Sequence, residues 1–445
     1  MEKDTMLTML KAIYWFKRDL RVDDNRALNE AVALADRIIP IFIIDEGLLK
    51  DLNIDREDLR LSFIISALRR LSRQVKLYVF YGKTVEVFEY LLGKYKIDYV
   101  ITAKPLTWSG RSRCEQVKNI CDMMGVRYHE VSDNILVEIG KIRNLHNFSS
   151  FYRAWLRMVD TRISPPPPLD KVEEIDEPDI IQVSEKIKPI PCRFWDVDIL
   201  MQDILSYNFR DYERLRDNLG EDYSSKVSPC LRMGLISIRR LYELSYKDSP
   251  SYIRQLAWRE YYYNLVYRYP YMKDLELKPW ARRIEWENDK DLLERFMRGE
   301  TGYPIIDAGI RELKVRKWAH NRARLLMANF LTKDLFIDWR IGEKFFKHHL
   351  IDYDEVLNVG NWQWASSVGV DNLPLRIFNP ITQAKEYDPE CKYIKRYIPE
   401  LSGYSCEELH DPLKYRLRDY FEPIVDHYER VRKFKEMVSK LIKSK

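Results

Sequence analysis

The sequence contains little glycine and lacks several common catalytic motifs. Only 15 of its 445 residues are glycine, and neither GxGxxG nor GxxxxGK followed by Ser or Thr occurs. The usual glycine-rich phosphate loops are therefore absent. HExxH and GxSxG are also absent, which argues against a zinc protease and a serine hydrolase. No spacing of histidine, cysteine and carboxylate residues completes a metal site, so no metal is predicted.

Cysteine is scarce as well. The six cysteines stand at positions 114, 121, 192, 230, 391 and 406, without a CxxC pair. A disulfide framework usually shows closely spaced cysteines in a short secreted chain. The sequence therefore predicts reduced thiols in an intracellular protein.

Long hydrophobic runs are missing too. The longest apolar run, 38–44, is far too short to span a bilayer, and residues 1–10 show no secretory hydrophobic region. We therefore expect no membrane association and a cytoplasmic location. Lys and Arg total 74 against 69 for Asp and Glu, a net charge of +5. This small excess permits a polyanionic partner but does not require one.

Aromatic residues, by contrast, are abundant. The chain has 29 Tyr, 17 Phe and 11 Trp, and seven of the Trp lie between positions 258 and 364. A hydrophobic core explains only some of these indoles, so the second half of the chain is the place to look for function.

The first part of the chain alternates short β-branched runs with helical patterns. Strands are predicted over 12–16, 37–45, 76–81, 98–103 and 126–131, and helices near 25–35, 55–73, 84–95 and 111–124. Apolar strands separated by helices indicate a doubly wound parallel sheet, that is, an α/β domain.

A break in this pattern follows, and the rest of the chain is helical. The run of four prolines at 165–168 reads as a stiff extended spacer. We therefore predict an α/β domain over 1–139, an interdomain linker over 140–195 and an all-α domain over 196–445. Its predicted helices are 208–219, 229–246, 251–267, 291–298, 305–312, 318–330, 339–350 and 384–397.

Residues 224–228 form the first candidate site. Ser228 before Pro229 predicts a helix start with a side-chain cap. Two further serines and Lys226 stand beside the free N–H groups of that helix, which suits a diphosphate. An ordinary capped helix explains the same residues.

Gln255, Trp258 and Arg259 form the second candidate site, because they share one side of a predicted helix. An amide can read a base edge, an indole can stack on a base, and a guanidinium can hold a phosphate. A helix with an aromatic core face and solvated charges is an equally valid interpretation.

Two further stretches are unusually polar and aromatic. Within predicted helix 318–330, Arg322 is placed to face a phosphate and Arg324 to turn towards a carboxylate; a solvated helix face is the alternative. On a helix, Trp362 and Trp364 would point about 200° apart, one inward and one towards a cavity. Two carboxylates close before them suggest a buried paired cluster, although each Trp alone fits a core.

Short motifs spread from Ile13 to about Pro399 occur together in one family. They are WFKRDLR at 15–21 with Asp24-Asn25, YERLRD at 212–217, SSKVS at 224–228, WRE at 258–260, GYPIID at 302–307, HNR at 320–322, and NWQW at 361–364 followed by RIFNP at 376–380. With them the sequence resembles the DNA photolyase/cryptochrome flavoprotein family, most closely class I cyclobutane pyrimidine dimer photolyases. The resemblance implies an N-terminal α/β antenna domain and a C-terminal helical domain that binds FAD.

The resemblance also implies roles for individual residues. The implied flavin contacts are Tyr212, Ser224, Ser225, Lys226, Val227, Ser228, Arg324, Asp352, Tyr353 and Asp354. Asn358 matches the side chain beside flavin N5, which helps to set the redox state that persists. The implied electron relay consists of Trp286, Trp339 and Trp362. The implied substrate contacts are Gln255, Trp258, Arg259, Asn321, Arg322 and Trp364.

The activity implied by the resemblance is light-driven repair of cyclobutane pyrimidine dimers in DNA. One electron passes from photoexcited reduced FAD to a lesion that is flipped out of the duplex. The expected partner is DNA that contains such dimers, the expected state is a monomer, and the expected location is the cytoplasm, with the nucleoid. The alternatives are a cryptochrome-type photoreceptor, which often has a long C-terminal tail that is not seen here, and a (6-4) photolyase.

The chain departs from the family pattern at a few positions. Gln255 replaces a usual Glu, as in (6-4) photolyases, but Asn321 and Leu325 stand where that branch has two histidines. The dimer-repair interpretation is therefore kept. Lys226 replaces a usual Arg. Residues 110–113 lack the Glu of folate-binding members, so a flavin or deazaflavin is favoured over a folate as a second, antenna chromophore.

Overall fold

The computed structural model describes residues 9–191, 194–371 and 375–443, so Cys192 lies outside the described residues. The strands are β1 Lys11–Phe16, β2 Arg37–Asp45, β3 Tyr78–Gly82, β4 Tyr99–Ala103 and β5 Arg127–Val131. The helices are α1 Arg26–Leu34, α2 Glu46–Asp51, α3 Leu59–Ser72, α4 Thr84–Lys94, α5 Trp108–Met123, α6 Phe148–Leu156, α7 Ile180–Ile187, α8 Val197–Leu205, α9 Tyr212–Leu215, α10 Ser228–Met233, α11 Ile238–Tyr246, α12 Pro250–Arg268, α13 Lys290–Arg298, α14 Pro304–Arg316, α15 Asn321–Lys333, α16 Trp339–Lys347, α17 Glu355–Ala365, α18 Pro380–Tyr387, α19 Lys392–Tyr397, α20 Cys406–His410 and α21 His427–Lys443. Short 3₁₀ helices cover Phe209–Asp211, Pro270–Lys273, Pro279–Arg283 and Pro399–Leu401.

The described chain divides into two compact units. The sheet unit contains residues 9–141, 156–207 and 226–247, and the helical unit contains residues 142–155, 208–225 and 248–443. These limits differ from the predicted boundaries, because the predicted linker 140–195 is shared between the units and carries α6 and α7. The prolines at 165–168 do lie outside any helix or strand.

The sheet unit confirms the predicted α/β architecture. All five strands are parallel, in the order β3-β2-β1-β4-β5, and β1 pairs with β2 through Ile13 and Ile39 and with β4 through Ile13 and Val100. From Ala12 to Phe16 the strand is buried at every residue. A strand that is covered on both faces is apolar throughout, as the sequence pattern indicated.

The sheet unit contains a cluster of buried charges. Arg239 is fully buried and pairs with Asp24 and Asp133, each at 2.8 Å. Arg21 also pairs with Asp133. The family motif that contains Arg21 and Asp24 therefore has a structural role in this unit.

Two glycines set the spacing of helices in the helical unit. A β-carbon at Gly360 of α17 would overlap the Tyr262 ring of α12, and one at Gly342 of α16 would overlap the Trp362 ring of α17. Glycine therefore allows α17 to approach both neighbouring helices closely.

Several predicted helix limits are wrong, and each has a local cause. Gly234 and Cys391 adopt left-handed backbone angles, φ +72° and +54°, and divide predicted helices 229–246 and 384–397. Predicted helix 318–330 begins at Asn321, because the His320 side chain accepts a hydrogen bond from the backbone N–H of Arg322 as an N-cap. Ser228 was expected to cap α10, but it is the first helical residue, and Val227 precedes it without a side-chain cap.

The expectation that all cysteines are reduced is also wrong. Cys391 and Cys406 form a disulfide between the start of α19 and the start of α20. His410 Nε2 lies 3.1 Å from Cys391 Sγ and 2.9 Å from the Asp388 carbonyl oxygen. Fifteen positions separate the two cysteines, so no short motif such as CxxC indicates this pairing.

Within the described ranges, no helix is both long enough and apolar enough to cross a bilayer.

Candidate functional site

Helices α12 and α17 of the helical unit each carry three of the predicted site residues. Gln255, Trp258 and Arg259 lie on α12, and all three are partly exposed. The Trp258 ring lies 5.8 Å from the Tyr262 ring, which in turn contacts α17 at Gly360. This packing connects the predicted substrate residues of α12 to the helix that carries Asn358, Trp362 and Trp364.

Asp352 and Asp354 stand just before α17 in different environments. Asp354 caps α17 through the backbone N–H groups of Val356 and Leu357, and Tyr263 donates a hydrogen bond of 2.7 Å to its other oxygen. Asp352 Oδ2 accepts a hydrogen bond from Arg324 at 2.8 Å, as predicted for Arg324. Asp352 Oδ1 is buried and has no hydrogen-bond partner among the described residues.

The Asn358 side chain is held by a glutamate that the sequence analysis missed. Its Nδ2 donates to the Glu343 carbonyl oxygen at 3.1 Å and to Glu343 Oε1 at 2.9 Å. Tyr353 OH donates to the same Oε1 at 3.0 Å. Both amide hydrogens of Asn358 are thus used, which leaves its Oδ1 as the atom that can accept a further hydrogen bond.

Burial raises the pKa of Glu343, against the hydrogen bonds from Asn358 and Tyr353, which lower it. No sequence signal identified Glu343, because a single glutamate between Arg340 and Lys344 on a helix is typical of a solvated surface.

The three tryptophans of the predicted relay differ in burial. Trp339 and Trp362 are fully buried, and Trp339 Nε1 donates to Glu276 at 3.1 Å. Trp362 Nε1 has no hydrogen-bond partner within the described part of the chain. Trp286 is partly exposed and packs against a separate hydrophobic cluster formed by Phe336, Phe434 and Val438.

Tyr212 and Ser225 meet at a tyrosine that the sequence analysis also missed. The Tyr212 ring packs edge-on against Tyr252 at 4.8 Å, and Ser225 Oγ lies 3.2 Å from Tyr252 OH. Burial raises the pKa of Tyr252, so its hydroxyl stays protonated. Tyr252 lies three residues before Gln255 on α12, a helical spacing that connects it to the predicted site. Ser224 is partly exposed and adjacent in the chain.

Arg322 is already paired within the helical unit. Its Nη2 lies 2.9 Å from Asp217 Oδ1, and its guanidinium lies 3.9 Å above the Tyr387 ring. Asn321, next to it, is exposed. A phosphate near Arg322 would therefore compete with Asp217.

Burial lowers the pKa of His320 to about 4, so this capping imidazole is neutral at pH 7.

Trp364 is partly exposed on the face of α17 opposite the buried Trp362. Arg376 lies 4.8 Å above its ring and pairs with Asp371 at 2.9 Å. The Phe378 ring lies 6.3 Å away. The opposite orientations of Trp362 and Trp364 are those predicted from their spacing.

Lys226, Val227 and Ser228 belong to the sheet unit and are described with it. All three are partly exposed, and Lys226 has a left-handed backbone, φ +45°.

The sheet unit also contains a cavity of about 390 Å³. Its lining comes from α2, α3, β3, α7 and the loop after α2, and includes Lys50, Arg56, Tyr81, Lys186 and Ile187. This volume is within the range of small-molecule sites.

Comparison with protein families gives two matches. The family model described as DNA photolyase matches residues 12–171, and the model described as the FAD binding domain of DNA photolyase matches residues 252–440.

Individual relatives cover almost the whole chain. A protein named deoxyribodipyrimidine photo-lyase from Alkalihalophilus pseudofirmus is 31% identical over 468 residues, covering 95% of this chain and 96% of the relative. The archaeal photolyase from Sulfolobus tokodaii, solved with two FAD molecules, is similar with a TM-score of 0.89 at 32% identity, covering 97% of this chain and 100% of that one. A cryptochrome from Synechocystis has a TM-score of 0.83 at 22% identity, covering 96% of this chain and 98% of the cryptochrome, and shares the fold.

Proposed function

Because the chain belongs to the DNA photolyase family, we propose that it repairs cyclobutane pyrimidine dimers in DNA under illumination, as a deoxyribodipyrimidine photo-lyase. The observation that carries this proposal is the 31% identity to a curated protein of that name across 95% of the chain. The geometry of the helical unit supports it in three further respects.

The first is the fit of the site to FAD. Buried polar atoms are nearly always hydrogen-bonded, yet Asp352 Oδ1 and Trp362 Nε1 lack partners among the described residues. One is an acceptor and the other a donor, so a bound group with both N–H and C=O functions would satisfy them. The isoalloxazine ring of FAD has both, and when bound in its reduced form FAD supplies the electron that splits the dimer on illumination.

The residues that would hold FAD follow from this fit. Arg324 orients Asp352 through a hydrogen bond of 2.8 Å to its Oδ2, and Asp354 and Tyr353 belong to the same segment. Asn358 presents its Oδ1 as an acceptor, since Glu343 occupies both of its amide hydrogens. The proposed set in the helical unit also includes Tyr212, Ser224 and Ser225, on the strength of the family motif. For Lys226, Val227 and Ser228 of the sheet unit, a flavin contact stays a prediction from that motif.

The second respect is the arrangement of the substrate residues. The half-buried indoles of Trp258 and Trp364 offer faces on which a flipped-out lesion can stack. Gln255 offers a neutral amide to a base edge, and Arg259, Asn321 and Arg322 offer polar contacts to the DNA.

The third is the gradient of burial along the proposed relay. Trp362 and Trp339 are buried and Trp286 is partly exposed, the order required for an electron to enter from solvent.

We expect Trp362→Phe to abolish photoreduction of bound oxidised FAD, while enzyme reduced beforehand with dithionite still repairs dimers. Absorbance at the flavin bands measures the first and repair of an oligonucleotide the second. Trp280→Phe, outside the relay, serves as the control. Loss of both activities in Trp362→Phe would contradict this role.

The activity itself is tested with three synthetic duplexes, which carry a cyclobutane dimer, a (6-4) product or no lesion. We expect light-dependent restoration of the first alone. Restoration of the (6-4) product would indicate the other repair branch, and FAD binding without restoration of either lesion would indicate a photoreceptor.

We propose that a flavin or deazaflavin acts as an antenna chromophore in the cavity of the sheet unit. Its volume of about 390 Å³ is in the range of small-molecule sites, and the S. tokodaii photolyase was solved with two FAD molecules. The lining carries slightly more basic than acidic residues, namely Lys50, Arg56 and Lys186 against Glu46 and Asp55. Absorption spectra and chromatography of the pigments released by denaturation test this proposal, and release of FAD alone at one equivalent would contradict it.

We also propose that the protein acts as a monomer in the cytoplasm, associated with the nucleoid through DNA. Light scattering during size-exclusion chromatography tests the first part, and imaging of a fluorescent fusion in cells tests the second.

A further inference from the structure

Residues 142–155, predicted to be part of a linker, are docked against α12 in the helical unit. Trp155 Nε1 donates to Glu260 Oε2 at 2.7 Å, and Tyr261 OH donates to the Leu145 carbonyl oxygen at 2.9 Å. The side chains of Phe151 and Trp155 are fully buried. Helix α6 is therefore fixed to the helix that carries Trp258.

Phe148, the first residue of α6, stacks directly on the indole of Trp258. The two ring centroids are 3.7 Å apart, and the planes differ by 3°. Tyr261 packs edge-on against both rings, at 5.7 Å from Phe148 and 5.6 Å from Trp258. Phe148 itself is buried, whereas Trp258 is partly exposed. One face of the indole is thus covered by a ring that cannot move aside easily.

The support for Phe148 extends outward from Trp258. Tyr152, one turn later on α6, lies nearly parallel to Phe148 at 5.7 Å. The Arg254 guanidinium lies 4.9 Å from the Phe148 ring and 5.3 Å from the Tyr152 ring. Stacking and cation–π contacts on an aromatic ring restrict its rotation.

We propose that Phe148 is a positioning residue for lesion recognition. By covering one face of Trp258 it fixes the plane of the indole and leaves the other face for the extruded pyrimidines. The inference rests on the proposed function, because it concerns how Trp258 meets a DNA lesion. Base–aromatic stacking requires parallel planes, so an indole that can rotate binds the lesion more weakly.

A residue that only filled the core would behave differently. Its removal would lower stability and would weaken binding of damaged and undamaged DNA alike. The ratio of the two affinities therefore distinguishes positioning of Trp258 from general packing.

The experiment compares Phe148→Leu, Phe148→Tyr and the control Phe151→Leu in the FAD-loaded protein. Phe151 is equally buried on the same helix, and its ring contacts Tyr261 at 5.0 Å. Measurements are the affinities for a duplex with one cyclobutane dimer and for the undamaged duplex, the FAD content and the thermal midpoint. Phe148→Met, similar in volume but without a ring, replaces Phe148→Leu if that variant does not fold.

We expect Phe148→Leu to lower the affinity for the dimer duplex about fivefold, the size of an aromatic pair contribution, with unchanged FAD content and affinity for undamaged DNA. Phe148→Tyr should retain the preference for the dimer, and Phe151→Leu should lower the thermal midpoint without changing that preference. An unchanged preference in Phe148→Leu or Phe148→Met, or equal changes in Phe148→Leu and Phe151→Leu, would overturn the inference. If the wild-type protein itself shows no preference for the dimer, the proposed function fails first and the inference falls with it.

Discussion

Each unit pairs arginine with aspartate, and the two units differ in how the carboxylate oxygens of the aspartates are used. In the sheet unit, both oxygens of Asp24 and of Asp133 accept hydrogen bonds, mainly from Arg239 and Arg21. In the helical unit, Arg324 bonds one oxygen of Asp352, and the other has no partner among the described residues.

This difference separates a folding role from a binding role. A carboxylate whose oxygens are all engaged by the protein has nothing left to offer a ligand, and its contribution is to stability. A buried oxygen without a donor is costly unless a bound group supplies one. The sheet-unit cluster is therefore structural, whereas the open oxygen of Asp352 is the atom that the proposed FAD site would use.

The largest effect is expected in the sheet unit. Arg239→Leu leaves Asp24 buried without its counter-charge and leaves Asp133 with Arg21 alone, and should lower the free energy of unfolding by about 3–5 kcal/mol. Urea unfolding followed by circular dichroism measures this. The neighbouring Arg240 pairs with Asp23 and Glu243 on a partly exposed surface, so Arg240→Leu should cost at most about 1 kcal/mol. Equal losses of unfolding free energy in both variants would contradict the structural role of the cluster.

As the pH is lowered, the helical unit should lose stability at a higher pH than the sheet-unit cluster does. Burial lowers the pKa of His320 to about 4, below its ordinary value of about 6.5. Between these values the unfolded chain binds the proton and the folded chain does not. The free energy of unfolding therefore falls by about 3 kcal/mol as the pH drops from 6.5 to 4.

His320→Asn keeps an N-cap acceptor but removes this titration. Its unfolding free energy should depend less on pH over this range than that of the wild-type protein, so the difference between the two proteins should change by about 3 kcal/mol between pH 6.5 and pH 4. The same slope in both proteins would exclude His320 as the source.

At Asp133, burial would raise the pKa, but Arg21 and Arg239 hold it below its ordinary value. Its stabilisation is therefore lost only at lower pH, as the folded carboxylate becomes protonated.

Asp352→Asn tests the binding role directly. The amide still accepts a hydrogen bond from Arg324 but offers a weaker or wrongly oriented partner to FAD, so the affinity for FAD should fall by about 10- to 100-fold. Fluorescence titration of the apoprotein measures this. The matched control is Asp307→Asn, because Thr301, Gly302 and Tyr420 bond both oxygens of Asp307. It should lose stability and keep its FAD affinity, and the reverse pattern would contradict the comparison.

The smallest effect concerns the partly exposed pair of Arg322 and Asp217. Arg322→Ala should weaken binding of undamaged DNA and reduce the slope of log affinity against log salt by up to about one, because one phosphate contact is lost. Asp217→Asn frees the guanidinium and should strengthen binding slightly. Salt titrations of both variants test this, and an unchanged slope in Arg322→Ala would exclude it from the phosphate contacts.

Much of the fold follows from local sequence patterns. The strands of the sheet unit were predicted within two residues at each end, because buried parallel strands are short apolar runs between helices. The long helix α12 and the opposite orientations of Trp362 and Trp364 follow from helical periodicity alone. The helix limits at 234, 320 and 391 were missed because single residues with unusual backbone angles or capping roles end helices without changing the apolar pattern.

The sequence by itself determined the fold class, the family and the residue types available for flavin and DNA chemistry, since these depend on periodicity and on motifs that are contiguous in the chain. Only the tertiary structure decided which of these residues are engaged by partners far away in sequence. Glu343 holds Asn358, Asp217 holds Arg322, Phe148 covers Trp258, and Cys391 pairs with Cys406. The packing of the helices determines which distant residues meet, and a local sequence pattern does not determine that packing.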